Sequence, residues 1–207
     1  MKIEDICKKT SDYIAKELNL DEDRKAVINY GIFAFIHMII CILLVIIFGV
    51  IFNVTIEALI ISFATSILRK SSGGVHASTP ERCAVIGTIS TIIMAIIAKY
   101  LHFGYSLNLV IGIIVFLYAY YIIYKLAPVD SASKPIKNPV KRLRLKKTSI
   151  ITTTIYLLIV IIDILAYLLT KEYILLTYSI CIYMGLSWQV FSLTEKGHLV
   201  LGKLDDF

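Results

Sequence analysis

The sequence predicts an all-α integral membrane protein, on three observations. Of its 207 residues, 58% are hydrophobic, against about 45–50% in soluble domains, and the mean hydropathy is +0.81. The excess is gathered into blocks too long for soluble core helices. Basic residues fall almost wholly between alternate blocks, as in a chain with a fixed membrane orientation. The net charge of +6 is therefore read as topology, not as a nucleic-acid footprint.

At this length several spans leave no room for a second sizeable soluble domain, so residues 1–207 are expected to form a single membrane domain. Residues 1–26 mix seven acidic and six basic side chains, unlike the apolar stretch of a cleavable signal peptide. Ile3, Ile6, Cys7, Thr10, Tyr13, Ile14, Glu17 and Leu18 recur near a three-four spacing, which predicts an amphipathic helix. It fits the cytoplasmic membrane surface or the protein's own loops equally well.

Residues 27–68 are almost wholly apolar, and one crossing takes about 20 residues. Two spans are expected, at about 27–51 and 54–69, with the turn at Asn53 and Thr55. A polar segment covers 70–82. Further spans are expected at about 83–99, 107–126, 148–169 and 173–193, with a long polar loop at 127–147. With both termini cytoplasmic, six spans place 19 of the 21 Lys and Arg inside, leaving Lys99 and Lys171 outside. Removing one span would mix the two groups and abolish the asymmetry.

The four cysteines are widely spaced and contain no CxxC pair, so neither a disulfide framework nor a zinc site is suggested. Cys41 and Cys181 fall in apolar runs and read as packing residues. Cys7 reads as an ordinary residue of a polar segment.

One segment carries chemistry: Arg69-Lys70-Ser71-Ser72-Gly73-Gly74-Val75-His76, then Thr79-Pro80-Glu81-Arg82-Cys83. On a straight helix His76 and Cys83 would lie about 10.5 Å apart, whereas a general base must come within about 3 Å of the proton it takes. The chain must therefore fold back. Gly73 and Gly74 permit the required backbone angles, and Pro80 opposes a continuous helix through 77–80. Pro80 suits the first position of the next helix, with Thr79 as N-cap. Cys83 then falls in the first turn, where the helix dipole and nearby cations favour a nucleophilic thiolate. On residues alone, catalysis competes with two interfacial side chains of no special role and with a His–Cys metal pair. The last lacks further ligands.

The segment resembles the signature of the AgrB family, membrane peptidases that process the autoinducer propeptide AgrD in Gram-positive quorum sensing. The matching features are the basic pair Arg69-Lys70, the Gly-Gly-x-His at 73–76 and Cys83 seven residues later. Ala127-Pro128-Val129-Asp130 followed by Lys134-Pro135-Ile136 is similar to the family's second loop motif. The resemblance covers essentially the whole chain. It implies a membrane-embedded cysteine peptidase of the bacterial plasma membrane, with His76 as general base, Cys83 as nucleophile and the site facing the cytoplasm. It implies an AgrD-type propeptide as partner and a homodimer, and calls for no cofactor, metal or nucleic acid. The chemistry implied is cleavage through a Cys83 thioester, followed by cyclisation to a thiolactone or lactone. Gly73 and Gly74 would support the site. Lys70 stands where Arg is common in the family, and loses the bidentate fork of Arg.

In the basic stretch from Lys134 through Lys137 to Lys147, Lys141, Arg142 and Arg144 read as topology and lipid contacts. The competing reading is docking of an acidic propeptide tail. Glu57 and Asp163 lie in apolar runs, where ionisable groups are costly. Glu57 is expected near the outer boundary, in reach of water, and Asp163 deeper, toward the bundle interior. His37 reads as a core or interhelical residue. Two other function classes compete: a small transporter using Glu57, Asp163 and His37, against which the lack of repeats or broken spans counts, and a non-catalytic scaffold.

Overall fold

The fold is taken from a computed structural model that describes residues 3–75, 77–101, 103–130, 136 and 138–205. All regular structure among these residues is helical: α1 (Ile3–Glu17), α2 (Glu22–Ile51), α3 (Thr55–Ser72), α4 (Pro80–Tyr100), α5 (Tyr105–Leu126), α6 (Pro139–Thr170), α7 (Ile174–Phe191) and α8 (Glu195–Asp205). The chain divides into two compact units, Met1–Leu44 and Val45–Phe207.

In the first unit, α1 has Glu4 and Asp5 in its first turn and Lys16 in its last, matching the helix dipole at both ends. Cys7, Ser11 and Ala15 are buried, a four-residue spacing that marks one face. Cys7 is thus not the ordinary residue of a polar segment that the sequence suggested, since its thiol is packed away. Tyr13 and Leu18, expected on the apolar stripe, are exposed. The turn to α2 uses Asn19 at positive φ. Asp21 then accepts a hydrogen bond from the Arg24 N–H at 2.8 Å, and Lys25 reaches Asp12 at 2.8 Å.

In the second unit the expected turn near Asn53 is present. Asn53 has φ 55, and Val54 donates to the Gly49 carbonyl at 2.7 Å. Among the described residues, five helices are long and apolar enough to cross a membrane: α2, α4, α5, α6 and α7. The second expected span, at about 54–69, coincides with α3, which has 18 residues and carries Glu57, Arg69 and Lys70; it is not among the five. Its centre is nonetheless core, with Ile61 and Leu68 fully buried. Glu57 does not reach water as expected. It is buried, with Lys99 Nζ 3.9 Å away, and Lys99 also donates to the Asn53 carbonyl. Asp163 is only partly buried.

One further expectation is corrected. The polar loop at 127–147 is only partly a loop, because α6 starts at Pro139. The Asn138 side chain accepts from Val140 N at 2.9 Å and Lys141 N at 3.4 Å, and proline occupies the first turn. Lys, Arg and Leu are good helix formers, so once capped the basic stretch is helical. The tail is also helical, as α8, with Thr194 Oγ1 accepting from Gly197 N at 3.1 Å.

The central helix is α7. Of its apolar window 61% is buried, against 28–33% for α4, α5 and α6, and it packs on α3, α4, α5 and α6. Small residues allow this close approach, as expected where helices associate through van der Waals contact. A Cβ on Gly185 would stand 2.8 Å from the Ile61 carbonyl oxygen, and Thr65 Oγ1 donates to the Gly185 carbonyl at 3.2 Å. Buried polar groups tie the remaining helices. Asn108 of α5 donates to the Leu176 carbonyl at 3.1 Å, and Tyr156 of α6 to the Ala64 carbonyl at 2.9 Å.

Candidate active site

The chemistry-bearing segment is a seven-residue connection, 73–79, between α3 and α4. Its entry is the Gly-Gly bend. Gly73 ends α3 at φ 72, and its N–H reaches the Arg69 carbonyl at 3.0 Å; Gly74 follows at φ 122. Only glycine takes such angles freely, and the space is closed as well. A Cβ on Gly73 would collide with the Val129 carbonyl, and one on Gly74 would stand 2.7 Å from Ser192 Oγ.

The exit is the predicted cap. Thr79 is the N-cap of α4, its hydroxyl accepting from Arg82 N at 3.3 Å, with Pro80 in the first turn. Cys83 N donates to the Thr79 carbonyl at 3.0 Å. Cys83 therefore sits in the first turn of α4, half-buried, beside the positive end of the dipole.

Residue 76, the predicted general base, lies outside the described residues. Its chain neighbours Val75 and Ala77 both line a pocket of about 50 Å³ together with Cys83, Arg69, Ile86, Trp188 and Leu201. Residues 75 and 77 thus line the same pocket as Cys83.

Arg69 and Lys70, an adjacent pair in sequence, separate in space. Arg69 turns inward. It lines the Cys83 pocket, donates through Nη2 to the Val75 carbonyl and lies within electrostatic reach of the Cys83 sulfur. Its Nε is buried without a hydrogen-bond partner among the described residues. Lys70 is exposed.

Three elements hold the bend. Val129 N donates to the Ser72 carbonyl at 2.9 Å, and Val129 forms an isolated parallel bridge with Gly73. Gln189 of α7, fully buried, donates its amide to Ser72 Oγ at 2.9 Å and to the Gly73 carbonyl at 2.8 Å. From α6, Ser149 Oγ bonds Ser71 Oγ at 2.9 Å. The described parts of the two motifs thus meet where Ser72 and Gly73 pair with Val129.

The three basic residues offered for docking part company too. Arg142 Nη2 donates to the Pro128 carbonyl at 3.3 Å and Nη1 lies 3.7 Å from Asp130, while Asp130 also accepts from Ile136 N at 3.2 Å. Arg142 therefore braces the loop that presses on Gly73. Lys141 and Arg144 are exposed on α6; Lys134 and Lys137 lie outside the described residues.

Sequence reasoning missed Gln189, Ser192, Trp188 and Leu201. A lone amide late in an apolar run is a legible signal for Gln189, because a buried amide must find partners. Trp188, the one tryptophan of the chain, carried a weaker signal. Nothing in the sequence pointed to Leu201.

The family model described as Accessory gene regulator B matches residues 7–193, which include the bend, Cys83 and the second loop. An AgrB-like protein of Clostridium perfringens strain SM101 is 38% identical over 208 residues, covering 99% of this chain and 97% of that protein. AgrB-like protein 2 of Clostridium perfringens strain 13 matches to the same extent. No solved structure matches the chain. With both motifs inside the matched region and near-complete coverage in both directions, the chain belongs to the accessory gene regulator B family.

Proposed function

We propose that the protein is a cysteine endopeptidase of the bacterial plasma membrane that cleaves an AgrD-type propeptide and promotes closure of its ring for quorum sensing. The observation that carries this reading is Cys83 in the capped first turn of α4, sharing a small pocket with Arg69 and with Val75 and Ala77, the neighbours of His76. Family membership supplies the substrate class.

In this reading His76 takes the Cys83 proton. The thiolate attacks a substrate carbonyl on the C-terminal side of the future signal, and the C–N bond breaks. The departing amine takes the proton from the imidazolium, leaving a thioester on Cys83. A nucleophilic side chain of the substrate, commonly a thiol, gives its proton to His76 and attacks that thioester. The ring closes as a thiolactone, or as a lactone if the nucleophile is a hydroxyl, and Cys83 leaves as thiolate. Exchange of one thioester for another is nearly energy-neutral, so the second step chiefly needs water kept out. Arg69 stands where it can stabilise charge developing on the attacked oxygen.

The same reading places six spans in the membrane with α3 as the second, both termini and the site on the cytoplasmic side, and a homodimer as the working form. The 19-to-2 distribution of basic residues supports the orientation.

The test is co-expression with the cognate propeptide. Wild type is expected to release the C-terminal tail, and Cys83→Ala and His76→Ala to leave the propeptide intact while inserting normally. Processing by Cys83→Ala at the wild-type rate would eliminate the reading.

A further inference from the structure

The pocket at Cys83 holds about 50 Å³, far below the roughly 300–1,000 Å³ of ordinary ligand pockets. It accommodates a scissile carbonyl and little more. Bulky side chains flanking that bond need space elsewhere.

A second cavity, of about 350 Å³, lies between α4, α5 and α7. Met94, Ile111, Val115, Ile180 and Met184 make its wall apolar, and Asn108 lines it as well. Asn108 is already engaged, donating to the Leu176 carbonyl at 3.1 Å and accepting from the Tyr183 hydroxyl at 3.3 Å. Trp188 lines both this cavity and the Cys83 pocket, and is thus shared by the lining of the two spaces.

We propose that the α4–α5–α7 cavity is the side-chain subsite of the peptide substrate, and that Trp188 is common to it and to the pocket that takes the reacting carbonyl. Bulky apolar side chains next to the scissile bond lodge in it, which fixes the bond presented to Cys83. The proposal rests on the peptidase reading above and names the kind of sequence that reading requires at the cleavage site. A lipid acyl chain would find the same apolar wall. The peptide is favoured because the cavity shares Trp188 with the nucleophile's pocket, while that pocket is too small for the residues a peptide must bring.

Two experiments test it. In the first, Ile111→Phe and Val115→Phe fill the cavity in the full-length enzyme, with folding checked by thermal unfolding. The kcat/KM for a propeptide with bulky residues at the cleavage site is expected to fall at least about tenfold, the scale of a misfit methylene or two. Most of the fall is expected in KM, and cleavage should recover when those residues are shortened to alanine. An equal fall for both propeptides overturns the proposal.

The second does not depend on turnover. Cys83→Ala protein is reconstituted into liposomes of dibrominated phosphatidylcholine, where Trp188, the one tryptophan of the chain, is the sole tryptophan emitter. A synthetic tryptophan-free propeptide is added, and its binding is followed by anisotropy of a fluorescein on its leader. Bound propeptide is expected to relieve bromine quenching of Trp188, and the alanine-shortened propeptide to bind without relief. Full binding with unchanged quenching assigns the cavity to lipid and overturns the proposal, as does no binding at all. If wild type fails to cleave while quenching is relieved, the peptidase reading falls and the docking site stands.

Discussion

Gly73 and Val129, 56 positions apart in the chain, are paired backbone to backbone in a parallel bridge, so close that a Cβ on Gly73 would strike the Val129 carbonyl. This pairing joins the segment carrying Cys83 to the loop that opens with Ala127. It makes the glycine a packing requirement as well as a conformational one. Gly73→Ala is expected to cost about 1–3 kcal/mol from the positive φ alone, with the collision adding to it, and to abolish propeptide cleavage. Gly31→Ala in α2, where a Cβ meets nothing within 4 Å, is expected to be neutral or slightly stabilising. Thermal unfolding in detergent and the cleavage assay together check both.

Arg142 acts on the same junction from behind, through Pro128 and Asp130. Arg142→Ala is expected to slow cleavage severalfold, whereas Lys141→Ala and Arg144→Ala, on exposed positions of α6, should each leave it within twofold. Cleavage rates of the three single variants, measured in low and high salt, separate bracing from docking. Loss that is equal across the three and removed by salt would favour a docking surface instead.

The split of Arg69 from Lys70 is tested by comparing equal substitutions. Arg69→Lys keeps the charge but cannot reproduce the planar fork, and the bond to the Val75 carbonyl holds the bend beside Cys83. It is expected to lower kcat at least about tenfold with little change in KM. Lys70→Ala, at an exposed site, should remain within about 0.5 kcal/mol in stability and near wild type in kcat.

At the far end of α3, Glu57 is 6% exposed and has Lys99 as its nearby cation. Lys99→Met would leave the carboxylate buried and uncompensated, and is expected to destabilise the protein by about 1–3 kcal/mol. Adding Glu57→Gln should restore part of that loss, since the removed charge no longer needs a partner. Unfolding midpoints of the two single variants and the double one give the coupling.

Local signals in the sequence carried the site's two ends. Thr79, Pro80 and Cys83 spell an N-cap, a first-turn proline and a first-turn thiol, and each rule concerns residues within four positions. Gly73 and Gly74 were legible for the same reason. A start signal was present but passed over at Asn138-Pro139, which opens α6, because the run of Lys and Arg that follows read as a polar loop. What could not be read was the clamp. Gln189 reaches Gly73 across 116 positions, and Val129 reaches Ser72 through backbone atoms alone, which leave no mark on residue identity. Burial of Glu57 was likewise invisible, because a carboxylate near a span end has water or a cation as alternatives, and only packing chooses.

The central claim is that Cys83 itself becomes acylated. Purified wild-type protein mixed briefly with propeptide, quenched in acid and digested should yield a Cys83-containing peptide heavier by the substrate's N-terminal fragment. The added mass should vanish on treatment with neutral hydroxylamine, as a thioester does, and should not form in Cys83→Ala. A propeptide cleaved at the wild-type rate with no such adduct at any time, and cleaved equally by Cys83→Ala, would contradict the account.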